Sequence, residues 1–243
     1  MKPFHLAELK PRELKKIASK KPLILIPIGT TEWHADHLPL GVDSLLSQAI
    51  CDDISARTGC VVAPLLSYGI AKNLKPEKGY FGTVDTIKVE TLAALLVDLG
   101  KGYAKMGFKK VVLLTGHGET DHWEAINSAI SRSKKTEMVM LSAYDFIKDE
   151  IRELDDIEKT WPFAPDHAAE WETSMMLHYF PKLVEMKDAP ETIELDIPGI
   201  PDYLHRRFPR RASQNYGGKL ARAVISGGVR MINQLLDSLG DNP

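Results

Sequence analysis

The stretch that decides the fold is Leu23-Ile24-Leu25-Ile26-Pro27-Ile28, six apolar residues followed at once by Gly29 and a polar loop. Three other short apolar runs, also rich in branched residues, resemble it: Val61–Leu66, Val111–Leu114 and Met138–Leu141. Near-continuous apolar runs of this length predict strands that are buried on both faces, as in a parallel sheet.

Helical patterns alternate with these strands. Apolar residues recur at helical spacing in five segments, which are Ser44–Arg57, Val89–Met106, Asp121–Lys134, Ala169–Tyr179 and Lys219–Leu239. The alternation predicts an α/β fold with right-handed crossovers. Two longer stretches, Lys148–Asp166 and Asp188–Gly218, look irregular and are typical of lids or binding loops. The 243 residues contain no repeat and no clear linker, so we expect a single domain over residues 1–243.

Composition and charge exclude several classes of protein. A net charge of −2 provides no basic field for nucleic acid and no polybasic patch for a membrane surface. No apolar run approaches the roughly 18 residues that cross a bilayer, and the first residues lack the apolar core of a signal peptide. The two cysteines, Cys51 and Cys60, form no CxxC pair, which favours a reducing compartment. We therefore expect a cytoplasmic protein whose partner is a small molecule.

Polar loops follow two of the predicted strands. The loop after Leu23–Ile28 carries Glu32 and His34 and leads to Asp43, and the loop after Val111–Leu114 carries His117 and Glu119. In open parallel sheets, ligands bind at the carboxyl ends of the strands, so both loops are expected at one edge. Half of the eight histidines lie in these loops; the other two there, His37 and His122, could line the site without binding metal.

The spacing of these residues suits metal chemistry. In an extended segment, residues two apart point to one face, so Glu32 pairs with His34 and His117 pairs with Glu119. Imidazoles mixed with carboxylates suit Zn, Mn or Fe. Two such ions about 3.5–4 Å apart can hold a bridging hydroxide and polarise a carbonyl. A simpler interpretation is that Asp43 is a helix N-cap and Glu119 a first-turn carboxylate.

Three motifs together resemble the creatininase (creatinine amidohydrolase) family. In chain order they are Pro27–Asp43, which contains Thr30-Thr31-Glu32-Trp33-His34, then Thr115-Gly116-His117-Gly118-Glu119, then His167-Ala168-Ala169-Glu170-Trp171-Glu172-Thr173-Ser174. The resemblance covers most of the chain. It implies a three-layer α/β/α domain with a mostly parallel central sheet, a homo-oligomer that is often a hexamer, and two divalent metal ions.

The resemblance also implies a ligand set. Glu32, Asp43 and His117 would hold one ion. His34, Asp43 and Glu119 would hold the other, so that Asp43 bridges the two ions.

The third motif implies the proton transfer. His167 would act as general acid and base between the water and the leaving group. Glu172 would orient this histidine or support the metal shell, and Glu170 could do the same or simply favour a helix N-terminus.

Substrate contacts are expected from Asp36 and Gly118 in the two metal loops and from Trp161, which could form a wall over a flat substrate. Many family members have Gly and Pro at Ala35 and Asp36. The segment Lys72–Gly82 lacks a Glu-His pair that many members show. In the family that segment helps to shape the substrate pocket, so this departure does not favour creatinine itself as the substrate.

The sequence thus predicts a metal-dependent hydrolase that cuts a C–N bond in a small cyclic amide or a formamide through a metal-bridging hydroxide. An alternative keeps the metals and opens the ring of a cyclic diketone of the inosose type. A third possibility is a non-catalytic assembly subunit, which should show damaged ligand positions.

Overall fold

A five-stranded sheet lies at the centre of the structure, and every pair of neighbouring strands in it is parallel. The computed structural model describes residues 1–133, 137–142, 167–194 and 206–240. The strand order is β1-β3-β2-β4-β5. The strands are β1 (Phe4–His5), β2 (Leu23–Ile28), β3 (Val61–Val62), β4 (Lys110–Thr115) and β5 (Glu137–Ser142).

Strand β2 is the middle of the sheet. It pairs in register with β4 from Leu23 opposite Lys110 to Ile28 opposite Thr115, and all residues of both strands are buried. Its side chains alternate between two hydrophobic cores, with Leu25 in one and Ile26 in the other. Apolar layers therefore cover both faces of the sheet, as the continuous apolar run predicts.

Helices form a layer on each face. They are α1 (Pro11–Ala18), α2 (Val42–Thr58), α3 (Val89–Lys105), α4 (Thr120–Arg132), α5 (Glu170–Tyr179) and α6 (Gln214–Gly240). One core takes its helical residues from α2, α5 and α6, and the other from α1, α3 and α4. The three-layer α/β/α architecture with a parallel central sheet is thereby confirmed.

Most element boundaries agree with the sequence pattern, and the exceptions have physical causes. Strand β3 stops at Val62 instead of Leu66, because Pro64 has no N–H to donate to a ladder. A single bridge from Ile28 to Leu66 continues the pairing. Strand β1 was not predicted, since a strand of two residues shows no periodicity.

Helix α6 begins at Gln214 rather than at Lys219. The pair Gly217-Gly218 is typical of a helix end, but here it lies inside the helix. A Cβ atom on Gly217 would lie 1.8 Å from the carbonyl oxygen of Ser174 in α5. The glycine therefore serves the close crossing of two helices and does not end one.

The two stretches predicted to be irregular are only partly described. Lys148–Asp166 and Trp161 within it lie outside the described residues. From the second stretch, β6 (Ile193–Glu194) and β7 (Arg206–Arg207) form a small antiparallel pair. No helix in the described part of the chain combines the length and the apolar character that a bilayer crossing requires. The single domain remains a prediction.

Candidate metal centre

The site lies where the direction of the chain reverses across the sheet. From β2 the chain moves to β3 on one side, and then crosses to β4 on the other side of β2. Ligands of open parallel sheets bind at such a switch point, at the carboxyl ends of the strands. Glu32 and His34 follow β2, and His117 follows β4. Asp43 comes from the first turn of α2, and Glu172 from the first turn of α5.

Close packing at Gly29 brings Asp43 to the loop after β2. A Cβ atom on Gly29 would lie 2.3 Å from the backbone nitrogen of Ser44, so any side chain there would push α2 away. The hydroxyl of Thr30 donates a hydrogen bond to Oδ2 of Asp43, and the hydroxyl of Ser44 donates to the Thr30 carbonyl at 3.0 Å. Asp43 makes no N-capping bond, so the interpretation as an ordinary helix cap is wrong.

The first group of ligand atoms consists of Glu32, Asp43 and His117, all buried. Nδ1 of His117 lies 3.0 Å from Oε1 of Glu32 and 3.3 Å from Oδ2 of Asp43. This is the set that the sequence motifs imply for one ion.

The second group consists of His34, Asp43 and Glu172, also buried. Nε2 of His34 lies 3.8 Å from Oδ1 of Asp43 and 3.6 Å from Oε2 of Glu172. The two groups share Asp43 through its two different oxygens. The structure therefore brings together the four expected ligands Glu32, His34, Asp43 and His117, with Asp43 in the expected central place.

Backbone carbonyls fix the protonation of the two histidines. Nδ1 of His34 donates to the Glu32 carbonyl at 3.1 Å, and Nε2 of His117 donates to the Ile70 carbonyl at 2.8 Å. The other ring nitrogen of each neutral imidazole then carries a lone pair, and that nitrogen faces the carboxylates. Histidines that bind metals are oriented in this way by an outer acceptor.

A cation would satisfy atoms that the protein leaves without partners. Among the described residues, buried Oε1 of Glu32 and Nε2 of His34 find no hydrogen-bond partner. The 3.0 Å contact between Glu32 and His117 is thus a close approach without hydrogen-bond geometry. Buried polar atoms are costly unless paired. Carboxylate oxygens and imidazole lone pairs converging on shared points fit divalent ions such as Zn or Mn.

The pKa values of His34 and His117 are both shifted upwards, which indicates that the surrounding carboxylates favour positive charge at this site. Burial alone would lower the pKa of His34, but Asp43 and Glu172 outweigh it and raise that pKa to about 9. Burial is likewise overcome at His117, where Glu32 and Asp43 hold the pKa well above its usual value. The carboxylates thus favour a positive charge beside these two rings, as they would favour a bound cation.

His167 lies beside both groups with different properties. Its Nε2 donates to the Trp33 carbonyl at 2.7 Å, so the lone pair is on Nδ1, 3.8 Å from Oε1 of Glu32. Burial and then the charge of His34 lower the pKa of His167 to about 3, and the ring stays neutral. With 14% of its side chain exposed, it is more open to solvent than Glu32 or His34. His167 also forms a third possible ligand group with Glu32 and His34.

Glu119 does not join the centre, contrary to the expectation from the motif. Both oxygens of its carboxylate accept from the backbone N–H of Lys72, at 2.9 and 2.8 Å, and one also accepts from Asn73 at 3.2 Å. In the part of the chain that the structure describes, no ligand group includes it. Glu119 is the residue that precedes α4, and there its carboxylate lies against the backbone of Lys72 and Asn73 instead of beside His117.

Glu172 takes the place expected of Glu119. Its Oε2 accepts from the backbone N–H of Ala168 at 2.6 Å and faces His34. The sequence motif implies that Glu172 orients His167 or supports the metal shell, and its 3.6 Å distance from Nε2 of His34 fits the second of these roles. Glu170, its neighbour in the motif, is only half buried and lies in none of the ligand groups of the described residues.

Two of the three expected substrate contacts lie within the described residues. Asp36 and Gly118 are exposed, and a Cβ atom on Gly118 would meet open space. Trp161 lies outside the described residues. Sequence reasoning missed Thr30 and the Ile70 carbonyl, which hold Asp43 and His117 in place. The only feature of the sequence that could have identified Thr30 is its position just after a strand. The role of a backbone carbonyl cannot be identified from the residue type.

A parallel α/β sheet with histidines and carboxylates converging at its switch point defines this protein as an α/β protein with a candidate metal centre. The profile of the creatininase family, described as creatinine amidohydrolase, matches residues 7–241. The chain therefore belongs to the creatininase family.

Three curated relatives differ in the reaction for which they are named. The creatinine amidohydrolase of Pseudomonas putida is 29% identical over 70% of this chain and 69% of its own length. A 3-dehydro-scyllo-inosose hydrolase of Thermotoga maritima is 30% identical, with 74% and 58% covered. A mycofactocin precursor peptide peptidase of Mycolicibacterium smegmatis is also 30% identical, with 69% and 62% covered. The match thus spans less than two thirds of the second and third relatives.

Solved creatininases share the fold. The Mn form of a creatininase superposes with a TM-score of 0.77 at 24% identity, covering 96% of this chain and 99% of that one. A variant creatininase of Zn–Zn type gives 0.79 at 24% identity, covering 97% and 99%.

Proposed function

We propose that this protein hydrolyses a C–N bond in a small cyclic amide or a formamide with the help of two divalent ions. The observation that carries the proposal is the pair of buried ligand groups that share Asp43. Glu32, Asp43 and His117 would hold one ion, and His34, Asp43 and Glu172 the other. Zn or Mn suits these donors, and relatives exist in Mn and Zn–Zn forms. When bound, such ions activate a water molecule and polarise the scissile carbonyl.

His167 would move the proton. Its Nδ1 lone pair faces the centre, because Nε2 is committed to the Trp33 carbonyl. A neutral imidazole with a free lone pair can take a proton from water and pass it to the leaving nitrogen. Its partial exposure supports this role, because a proton carrier needs contact with the substrate.

The ring of His167 is held by its neighbours. It stacks on Trp33 with a centroid distance of 6.2 Å, and the His34 ring lies 4.3 Å away. A proton carrier that must serve two partners in turn benefits from this fixed position.

Chelation and a substrate panel test the proposal. Protein purified without chelator should contain Zn, Mn or Fe, and should hydrolyse at least one lactam or formamide in the panel. Stripping the metal should abolish turnover, and adding back Zn²⁺ or Mn²⁺ should restore it. Protein that contains no divalent metal, with activity indifferent to chelator, would contradict the proposal.

A second candidate function is ring opening of a cyclic diketone. The observation in its favour is the 30% identity to the inosose hydrolase over 74% of this chain. The same centre would serve, since water again attacks a carbonyl carbon, but the leaving atom is carbon rather than nitrogen. Cyclic diketones belong in the substrate panel for this reason, and short peptides belong there because a third relative is named a peptidase. Turnover of the diketone alone would favour this candidate.

A non-catalytic assembly subunit is the less supported alternative. Four expected ligands are present, buried and converging, and Glu172 completes the second group. A protein that had lost its chemistry would not be expected to retain unpaired buried atoms there. A homo-oligomer, for which the family resemblance implies a hexamer, is part of the proposal.

A further inference from the structure

A buried histidine outside the ligand set holds the surroundings of His117. His122, in the first turn of α4, is fully buried. Its Nδ1 accepts a hydrogen bond from the backbone N–H of Ile70 at 3.2 Å. The proton of the neutral ring is therefore on Nε2, which donates to the hydroxyl oxygen of Thr115 at 3.0 Å.

Both partners of His122 also bind His117. The Ile70 carbonyl accepts from Nε2 of His117 at 2.8 Å, and the Thr115 hydroxyl oxygen accepts from the His117 backbone N–H at 3.1 Å. His122 thus fixes one residue that orients the ring of His117 and another that fixes its backbone. The hydrogen bonds thus form a closed ring of His122, Ile70, His117 and Thr115.

Packing shows that the fold accommodates this ring. The rings of His117 and His122 meet edge to face, with centroids 5.0 Å apart at 84°. A Cβ atom on Gly69 would lie 2.7 Å from Cε1 of His122, so only glycine lets the chain before Ile70 approach so closely. The N–H of Gly69 in turn donates to the carbonyl of Gly29 at 2.9 Å.

We propose that His122 is a positioning residue for the metal ligand His117. By holding Ile70, it keeps the carbonyl of that residue against Nε2 of His117, so that Nδ1 presents its lone pair to the ion. This inference rests on the proposed metal centre. Outer partners of this kind typically change metal affinity by roughly 10- to 100-fold.

Three variants separate the two bonds of His122. An Asn oxygen can take the position of Nδ1, and a Gln amide nitrogen can take the position of Nε2. His122→Asn thus keeps the acceptor for Ile70, His122→Gln keeps the donor to Thr115, and His122→Phe removes both. The control His5→Phe removes an imidazole that bonds to Asp52 and Glu8 and lies outside the centre.

The experiment is a titration of the full-length, chelator-stripped chain with Co²⁺, followed by the visible absorption of the bound ion. We expect His122→Phe and His122→Gln to bind the ion at His117 roughly 10- to 100-fold more weakly, with an altered spectrum. His122→Asn and His5→Phe should bind close to wild type. The melting temperature of each metal-free variant separates loss of folding from loss of affinity.

Each remaining outcome is decisive. If His122→Phe and His122→Gln melt at lower temperature but bind Co²⁺ with wild-type affinity and spectrum, the role of His122 is only structural and the inference is wrong. If His122→Phe does not fold, equal binding by the Asn and Gln variants overturns it. Wild-type protein that binds no Co²⁺ contradicts the proposed metal centre itself.

Discussion

Nε2 of His34 lies 3.6 Å from Oε2 of Glu172, and between the described residues no hydrogen bond satisfies that nitrogen. Glu119, which the sequence motif assigns to the same ion, is instead held by backbone N–H groups of Lys72 and Asn73. Hydrogen bonds to a charged acceptor contribute about 1.5–3 kcal/mol each, so withdrawing Glu119 from them would be costly. The structure therefore favours Glu172 as the carboxylate of the second ion.

The first prediction compares these two carboxylates. Glu172→Gln should lose one of the two proposed ions, because an uncharged amide is a weak ligand for Zn or Mn. Glu119→Gln should keep both, since its amide oxygen can still accept from Lys72. Metal content after gel filtration, measured by mass spectrometry, decides between them. Loss of an ion from the Glu119 variant alone would restore the assignment made from the motif.

The second prediction concerns His167. Replacing it by alanine should lower kcat roughly 10²- to 10⁴-fold on any substrate that the panel identifies, because general acid–base catalysis is lost. Metal content should stay at the wild-type level. Since His167 also lies within a possible ligand group with Glu32 and His34, metal analysis is an essential control. A variant that loses an ion would show His167 to be a ligand instead of a proton carrier.

Much of this molecule was predictable, and the parts that were not share a cause. The apolar run Leu23–Ile28 and the helical spacing of the segment after it are patterns of residues that are close in sequence. Such local patterns are enough to predict the strands of the sheet and the helices that cover it. The sequence predicted that Glu32, His34 and His117 lie close together, because loops after parallel strands meet at one edge of the sheet. The direction of the Glu119 side chain depends on its contact with the backbone of Lys72, which is distant in sequence. The spacing of residues near Glu119 therefore could not predict it.

The third prediction concerns pH and an ion pair at the edge of the sheet. Burial alone would lower the pKa of His5, but Asp52 at 2.8 Å and Glu8 at 3.3 Å raise it above 6.5. A raised pKa means that the folded state favours the proton. The stabilisation is fully present below pH 6.5 and is lost as the pH rises through the folded-state pKa.

Asp52→Asn should therefore lower Tm more at pH 5.5 than at pH 9. Asn keeps an oxygen that can accept from Gln48, which bonds to Asp52 at 2.7 Å, so the charge is the main loss. The matched control is Asp98→Asn, an exposed partner of Lys101, whose effect on Tm should not depend on the ionisation of His5. Thermal melts at both pH values with chelator present provide the comparison, and an equal loss at both would contradict the assignment.

The last prediction uses the adjacent glycines of α6. A Cβ atom at position 217 would lie 1.8 Å from the Ser174 carbonyl oxygen, whereas at position 218 the nearest atom is Nδ1 of His178 at 3.3 Å. Gly217→Ala must push α5 and α6 apart, which typically costs about 1–3 kcal/mol or more. Gly218→Ala meets only side chains that can shift, and alanine in a helix gains up to about 1 kcal/mol over glycine. Chemical denaturation should therefore rank Gly218→Ala at or above wild type and Gly217→Ala well below it. Because α5 carries Glu172, Gly217→Ala should also weaken binding of the second proposed ion. Equal stability of the two variants would show that the helices do not cross this closely.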